Sequence, residues 1–283
     1  MTDSRPLRQF LDLMASSGIS HLPKVTLPKP AAAPGKLLAN RLKGAAPPTR
    51  QPSLSKPGSQ TRLMSPDRLT PNSAQQPDVM ETTRSLLEQT FHTAEQKAEG
   101  LSRLAESVAA CKRCTELAET RRQTVFGVGN ADADIMFIGE APGADEDRQG
   151  EPFVGAAGKL MDKIIAACGL KREEIYICNI LRCRPPGNRN PHPQEAANCR
   201  EFLDGQIRIV APKHIICWGT VAAQNLLGET RPVGRLRGQF LQHGEAKVMC
   251  TYHPSYLLRN ASAKKLVWED MKFFMNDLGI DLG

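Results

Sequence analysis

Aromatic residues make up only 5% of the 283-residue chain, and no stretch of about 18 apolar residues, the length a membrane-crossing helix needs, occurs in it. The start, MTDSRPLRQFLDLMASSG, lacks the long apolar core of a signal peptide, so a cytoplasmic protein is expected. Neither G-x4-G-K-[ST] nor G-x-G-x-x-G is present, which removes the usual support for nucleoside triphosphate or dinucleotide chemistry. Acidic residues are scarce at one end: residues 1–80 hold 4 of them against 11 basic ones, whereas residues 81–283 hold 26 of each. The net charge of +7 therefore belongs to the N-terminal part and is only weak evidence for a nucleic-acid partner.

Residues 1–80 also carry 12 of the 21 prolines, separated by Ala, Ser, Gln and Thr. Such a stretch buries too little apolar area to offset the entropy of ordering it. It reads as a flexible basic tether, a candidate contact for DNA or partner proteins or a plain solvated linker. A short amphipathic helix is expected near its start, from the spacing of Leu7, Phe10, Leu11 and Met14.

Residues 81–283 read as one folded domain. ETTRSLLEQTFHTAEQKAEGLSRLAESVAACKRC is rich in helix formers, with Leu101, Leu104, Ala105 and Val108 at helical spacing. Four apolar runs follow as strands: ADIMFIG, EIYICNI, HIICWG and KVMCTY. Between them, GKLMDKIIAACGL puts Leu160, Met161, Ile164, Ile165 and Cys168 on one helical face, and TVAAQNLLGE is similar. Alternating strands and helices argue for an α/β fold whose parallel or mixed sheet is covered on both sides. Chemistry is expected beyond the carboxyl ends of the strands.

Of eight cysteines, Cys168, Cys178, Cys217 and Cys250 lie in core-like runs. Cys111 and Cys114 form a C-x2-C pair, while Cys183 and Cys199 bracket a loop of prolines, asparagines and arginines. A reducing compartment disfavours a permanent disulfide, so the two pairs suggest a four-thiolate metal site, zinc or iron–sulfur. Two unrelated pairs, or a redox-active C-x2-C, are the plainer alternatives. FIGEAPGADEDRQGEPFVGAAGKL is a strand, a Gly-rich acidic loop and a helix start, with Glu140, Asp145, Glu146 and Asp147 crowded together outside any helical repeat. Phe153, between Pro152 and Val154, is a candidate for stacking on a planar ligand or a core plug. In TYHPSYLLRN, His253 runs straight into Pro254, so its ring is expected at a loop start. The loop after it is expected to expose Ser255, Tyr256, Leu257, Leu258 and Arg259.

Taken in order, GEAPG, ED, G-x-PFVG-x-AG, NILRCRPPGNRNP and HPSYLLRN resemble the family 4 uracil-DNA glycosylases, over roughly residues 97–275, and the tether lies outside the resemblance. The resemblance implies a three-layer sandwich around a mainly parallel four-stranded sheet. It also implies hydrolysis of uracil from single- or double-stranded DNA by a monomer, and a [4Fe-4S] cluster on Cys111, Cys114, Cys183 and Cys199. Within the family's scheme Gly139, Pro142, Gly143, Phe153 and Asn179 bind the extruded base, Phe153 by stacking and Asn179 by reading its O4 and N3 edge. His253 donates a hydrogen bond to O2, Glu140 and Glu146 are candidates for placing water or supporting the loop, and Arg184, Asn188 and Arg189 face phosphates. No lysine sits in these motifs, so a monofunctional enzyme leaving an abasic site is expected. Two alternatives remain: a related protein that traps uracil-DNA covalently, whose histidine-bearing insertion is missing around His192, and an iron–sulfur DNA-binding module without activity.

Overall fold

The computed structural model describes residues 79–283; the tether and the short helix expected near the chain start lie outside the described residues. The first described helix, α1 (Val79–Glu88), is followed by α2 (Ala94–Ala110) and α3 (Thr115–Thr120). Sequence patterning gave one long helical segment here. It is broken in two because Thr93 and Gln96 form a capping box that starts a fresh helix. Leu101, Leu104 and Val108 are buried as their spacing requires, whereas Ala105 is only half-buried.

A six-stranded sheet lies at the centre, in the order β1-β3-β2-β4-β6-β5. The four expected strands are its middle: β2 (Ile135–Gly139), β3 (Tyr176–Asn179), β4 (His214–Trp218) and β6 (Ala246–Thr251), all parallel. The two edge strands, β1 (Val128–Gly129) and β5 (Phe240–His243), are antiparallel and were not expected. One is only two residues long and neither is a continuous buried run, so no apolar pattern marks them.

Along each middle strand successive side chains enter opposite cores. Phe137, Ile177, Ile216, Trp218 and Met249 join one, with α5 (Ala156–Ala167) and α10 (Ala263–Asp277). Met136, Ile138, Cys178, Cys217 and Cys250 join the other, with α2, α6 (Pro193–Val210) and α7 (Thr220–Leu227). This is the three-layer arrangement, and it explains why the strands are apolar on both faces. Cys168, Cys178, Cys217 and Cys250 are core residues.

Two loops turn out to be short helices. Asp145, Glu146 and Asp147 are the first turn of α4 (Ala144–Gln149), a place where the helix dipole favours carboxylates and which is too short to show periodicity. His253 is the N-cap of α9 (Pro254–Arg259), with Pro254 at its first position. α8 (Val233–Leu236) completes the set. Among the described residues no helix is long and apolar enough to cross a membrane.

Candidate active site

Gly139 and Asn179 are register partners at the carboxyl ends of β2 and β3, and His253 follows β6 at the same edge of the sheet. Asn179, His253 and Phe153 line a pocket of about 330 Å³, and Gly139, which was expected at the base, is not among its lining residues. Gly139 has to be glycine, because a Cβ there would strike both the Asn179 Oδ1 and the Phe153 ring. Asn179 is 2% exposed, and its Oδ1 is buried without a hydrogen-bond partner. A buried polar atom left unpaired costs about 1–3 kcal/mol, which a ligand bringing the matching donor recovers.

Phe153 sits in the left-handed region at φ 55°, an unusual place for a bulky side chain. Its turn is held from both sides. Arg172 Nη2 donates to the Pro152 carbonyl at 2.6 Å, while Val154 N and Gly155 N donate to Glu146 Oε1 at 3.0 and 2.9 Å. The other Glu146 oxygen accepts from Gly143 N at 3.0 Å. Glu146 is thus surrounded by main-chain donors. Gly158 lets α5 begin against this turn, since a Cβ there would collide with the Phe153 main chain.

The His253 ring lies 5.5 Å from the Phe153 ring, tilted by 34°. Its Nδ1 accepts from Ser255 N at 3.2 Å and lies 2.8 Å from Ser255 Oγ. A main-chain N–H can only donate, so Nδ1 carries no proton and Nε2 does. Burial, helped by the charge of Arg259, pushes the imidazole down to about 4, so the ring is a neutral donor at physiological pH. Glu140 lines the same pocket, and burial raises its carboxyl above the ordinary value.

The other expected residues divide. Pro142, Gly143, Asn188, Arg189, Ser255 and Arg259 line the pocket. Tyr256 and Leu258 are exposed beside it, at 39% and 51%. Leu257 is not: at 1% exposure it faces the core, because α9 is a helix and turns neighbouring leucines in different directions. Arg184 Nε donates to Asn188 Oδ1 at 2.7 Å. Arg189 is already engaged, with Nη2 at 2.7 Å from both Glu116 and Glu195 and Nη1 at 2.9 Å from Glu195. Glu116, His192 and Glu195 come close enough to suggest an ion site, but this guanidinium occupies the space between the carboxylates. His192 caps α6 in an exposed position and does not line the pocket.

Cys111 ends α2, Cys114 starts α3, and the buried Cys183 and Cys199 meet Leu117, Leu181 and Cys114 in a small cluster. All four are free thiols. Each sulfur receives an N–H: Arg113 Nε on Cys111 at 3.4 Å, Asn198 Nδ2 on Cys114 at 3.4 Å, Arg121 Nη1 on Cys183 at 2.9 Å, and the Arg182 main chain on Cys199. Donors aimed at sulfur suit thiolates rather than inert core thiols. Sequence reading missed these donors, although Arg113 lies inside C-x2-C and Arg182 adjoins Cys183.

A family model for the Uracil DNA glycosylase superfamily matches residues 126–272. The chain belongs to that superfamily. It is 40% identical to the type-4 uracil-DNA glycosylase of Archaeoglobus fulgidus over 182 residues, 62% of this chain and 91% of that protein. The type-4 enzyme of Thermotoga maritima is 42% identical over 173 residues, covering 60% of this chain and 90% of that protein. The Sulfurisphaera tokodaii enzyme is 39% identical over 183 residues, 62% and 83%. The superfamily match takes in Phe153, Asn179, Cys183, Cys199 and His253 and starts beyond Cys111 and Cys114.

The depressed imidazole sets the pH behaviour. The ring takes up its proton only as pH falls toward about 4, so its neutral form persists through 6.5. The kcat/KM for the pocket's reaction is therefore expected to show no inflection at 6.5, with its acid limb lying lower and including the raised Glu140 carboxyl. A limb at 6.5 that persisted in Glu140→Gln would show that His253 titrates in its ordinary range.

Proposed function

We propose that the protein hydrolyses the N-glycosidic bond of uracil in DNA, freeing uracil and leaving an abasic site. The observation that carries this is the buried, unpaired Asn179 amide oxygen in a pocket shared with Phe153 and a neutral His253. The base is reached only once it leaves the stack, and extruded uracil then lies against the Phe153 ring. Asn179 Oδ1 accepts the N3–H and its amide N–H donates to O4. Cytosine offers the reverse pattern at both positions and leaves the buried amide unmatched.

As the bond to the sugar breaks, negative charge gathers on O2. The Nε2–H of His253 stabilises it, in a neutral ring that costs no unfavourable protonation, and such a donor is worth about 3 kcal/mol. The sugar becomes cationic and reacts with a water that only needs positioning. Glu140 is the carboxylate for that role. Glu146 has both oxygens committed to main-chain donors and supports the loop instead. None of the pocket-lining residues is a lysine, which supports a monofunctional enzyme.

Cys111, Cys114, Cys183 and Cys199 would hold a [4Fe-4S] cluster. Burial raises Cys183, and pushes Cys199 up to about 11, so metal binding releases protons and the N–H donors offset the buried thiolate charge. The cluster supplies bracing: it ties α2 and α3 to the Cys183–Cys199 loop that borders the pocket.

Uracil release from single- and double-stranded oligonucleotides tests the pocket. Wild type is expected to free uracil and leave an alkali-labile site without cutting the strand. His253→Ala is expected to lose about a hundredfold in kcat with little change in DNA affinity. Asn179→Ala loses uracil-over-cytosine discrimination, and Phe153→Ala needs more DNA, having lost stacking worth about 1–3 kcal/mol. Three variants that cleave like wild type would refute the assignment. DNA binding without release would favour the inactive module, and a protein–DNA band surviving denaturing gels would favour covalent trapping.

Metal content tests the thiolate site separately. Anaerobically purified protein is expected to be brown, with about four irons per chain. A colourless protein with one zinc would overturn the cluster.

A further inference from the structure

Arg182 lies between the end of β3 and Cys183 and is 1% exposed. Its Nη1 donates to the Asn179 carbonyl and its Nη2 to Gln206 Oε1. Gln206 is fixed in turn, donating to Tyr176 Oη at 2.8 Å and the Phe126 carbonyl at 2.9 Å. The Arg182 main chain meanwhile faces the Cys199 sulfur, and its carbonyl accepts from Val125 N at 2.8 Å. One residue therefore touches the base-reading asparagine through its side chain and a cluster thiol through its backbone.

The charge is the telling feature. Its side-chain partners are a carbonyl and an amide, both neutral, and its Nε is buried without a partner. Among the described residues no carboxylate forms an ion pair with it. An uncompensated buried charge costs several kcal/mol, so this guanidinium calls for an anion nearby. Four thiolates around an iron–sulfur core carry net negative charge; the buried Arg182 is the residue immediately before Cys183, and its charge favours the thiolate form of Cys199.

Resting on the cluster reading above, we infer that Arg182 is a positioning residue that couples the thiolate site to base recognition. Its guanidinium is the internal counter-charge of the metal-bound thiolates, and that attraction holds the fork that clamps the Asn179 carbonyl. The clamp fixes the backbone at the end of β3, which aims the Asn179 amide into the pocket. Loading the cluster thereby sets uracil recognition without the metal touching the base.

The test compares Arg182→Met and Arg182→Lys with wild type as iron-loaded full-length proteins. It measures the midpoint potential of the bound cluster by film voltammetry and uracil release from a single-stranded oligonucleotide. Removing the charge in Arg182→Met is expected to move the potential to more negative values, and to lower kcat/KM about tenfold. Arg182→Lys keeps the charge but not the two-pronged fork, so its potential stays near wild type while kcat/KM stays low. A merely structural arginine would lower the melting temperature and leave the potential unmoved. That result, or wild-type release by Arg182→Lys, would overturn the coupling. If Arg182→Met does not fold, Arg182→Gln, which also removes the charge but keeps a side-chain amide donor, takes its place: a potential moved to more negative values supports the coupling and an unmoved one overturns it. Wild-type protein without iron would instead refute the cluster reading, and the inference would fall with it.

Discussion

The pocket depends on one carboxylate. Glu146 accepts main-chain N–H groups from Gly143, Val154 and Gly155, drawing together the loop after β2 and the start of α5. Between those points the chain must pass Phe153 through a left-handed conformation that costs energy in a bulky residue. Hydrogen bonds to an ionised acceptor are worth about 1.5–3 kcal/mol each, enough to hold such a turn. The aromatic wall of the pocket is thus held by the fold itself, and the cost of ordering it falls on folding.

The rest of the site follows from where the parallel strands end. Gly139 and Asn179 are paired in register, so the bare backbone of one leaves room for the amide of the other. His253 leaves β6 as a helix cap, and the cap hydrogen bond that satisfies Ser255 N also decides which imidazole nitrogen keeps its proton. One ring thus both caps the helix and lines the pocket. On the far side of the loop, Arg189 is a strut between Glu116 and Glu195 and ties the Cys183–Cys199 segment to α3. Its charge is answered by these carboxylates, whereas Arg184 donates to the Asn188 amide oxygen.

Much of this was legible in the sequence, and the limits have physical causes. The four middle strands are buried on both faces and therefore read as apolar runs, whereas β1 and β5 are short edge strands with no such mark. The two cysteine pairs outside core runs were visible in the sequence, but the arginines whose N–H groups meet their sulfurs could not be singled out, because Arg121 meets Cys183 across 62 residues. Leu257 and Leu258 look alike in sequence, and only the packing of α9 separates a core residue from an exposed one. Glu140 and Glu146 likewise looked interchangeable. Glu146 is distinguished by partners eight and nine residues further on, which composition does not reveal.

The most direct test of a pocket built around Glu146 is the single-turnover rate of uracil release by Glu146→Gln at saturating DNA. The amide is nearly isosteric but replaces one acceptor oxygen with a donor, which then faces a main-chain N–H. The rate is predicted to fall at least about tenfold, the equivalent of one charged hydrogen bond, while the protein stays folded. Release at the wild-type rate would contradict it, because Phe153 would then hold its position without the carboxylate that surrounds its turn.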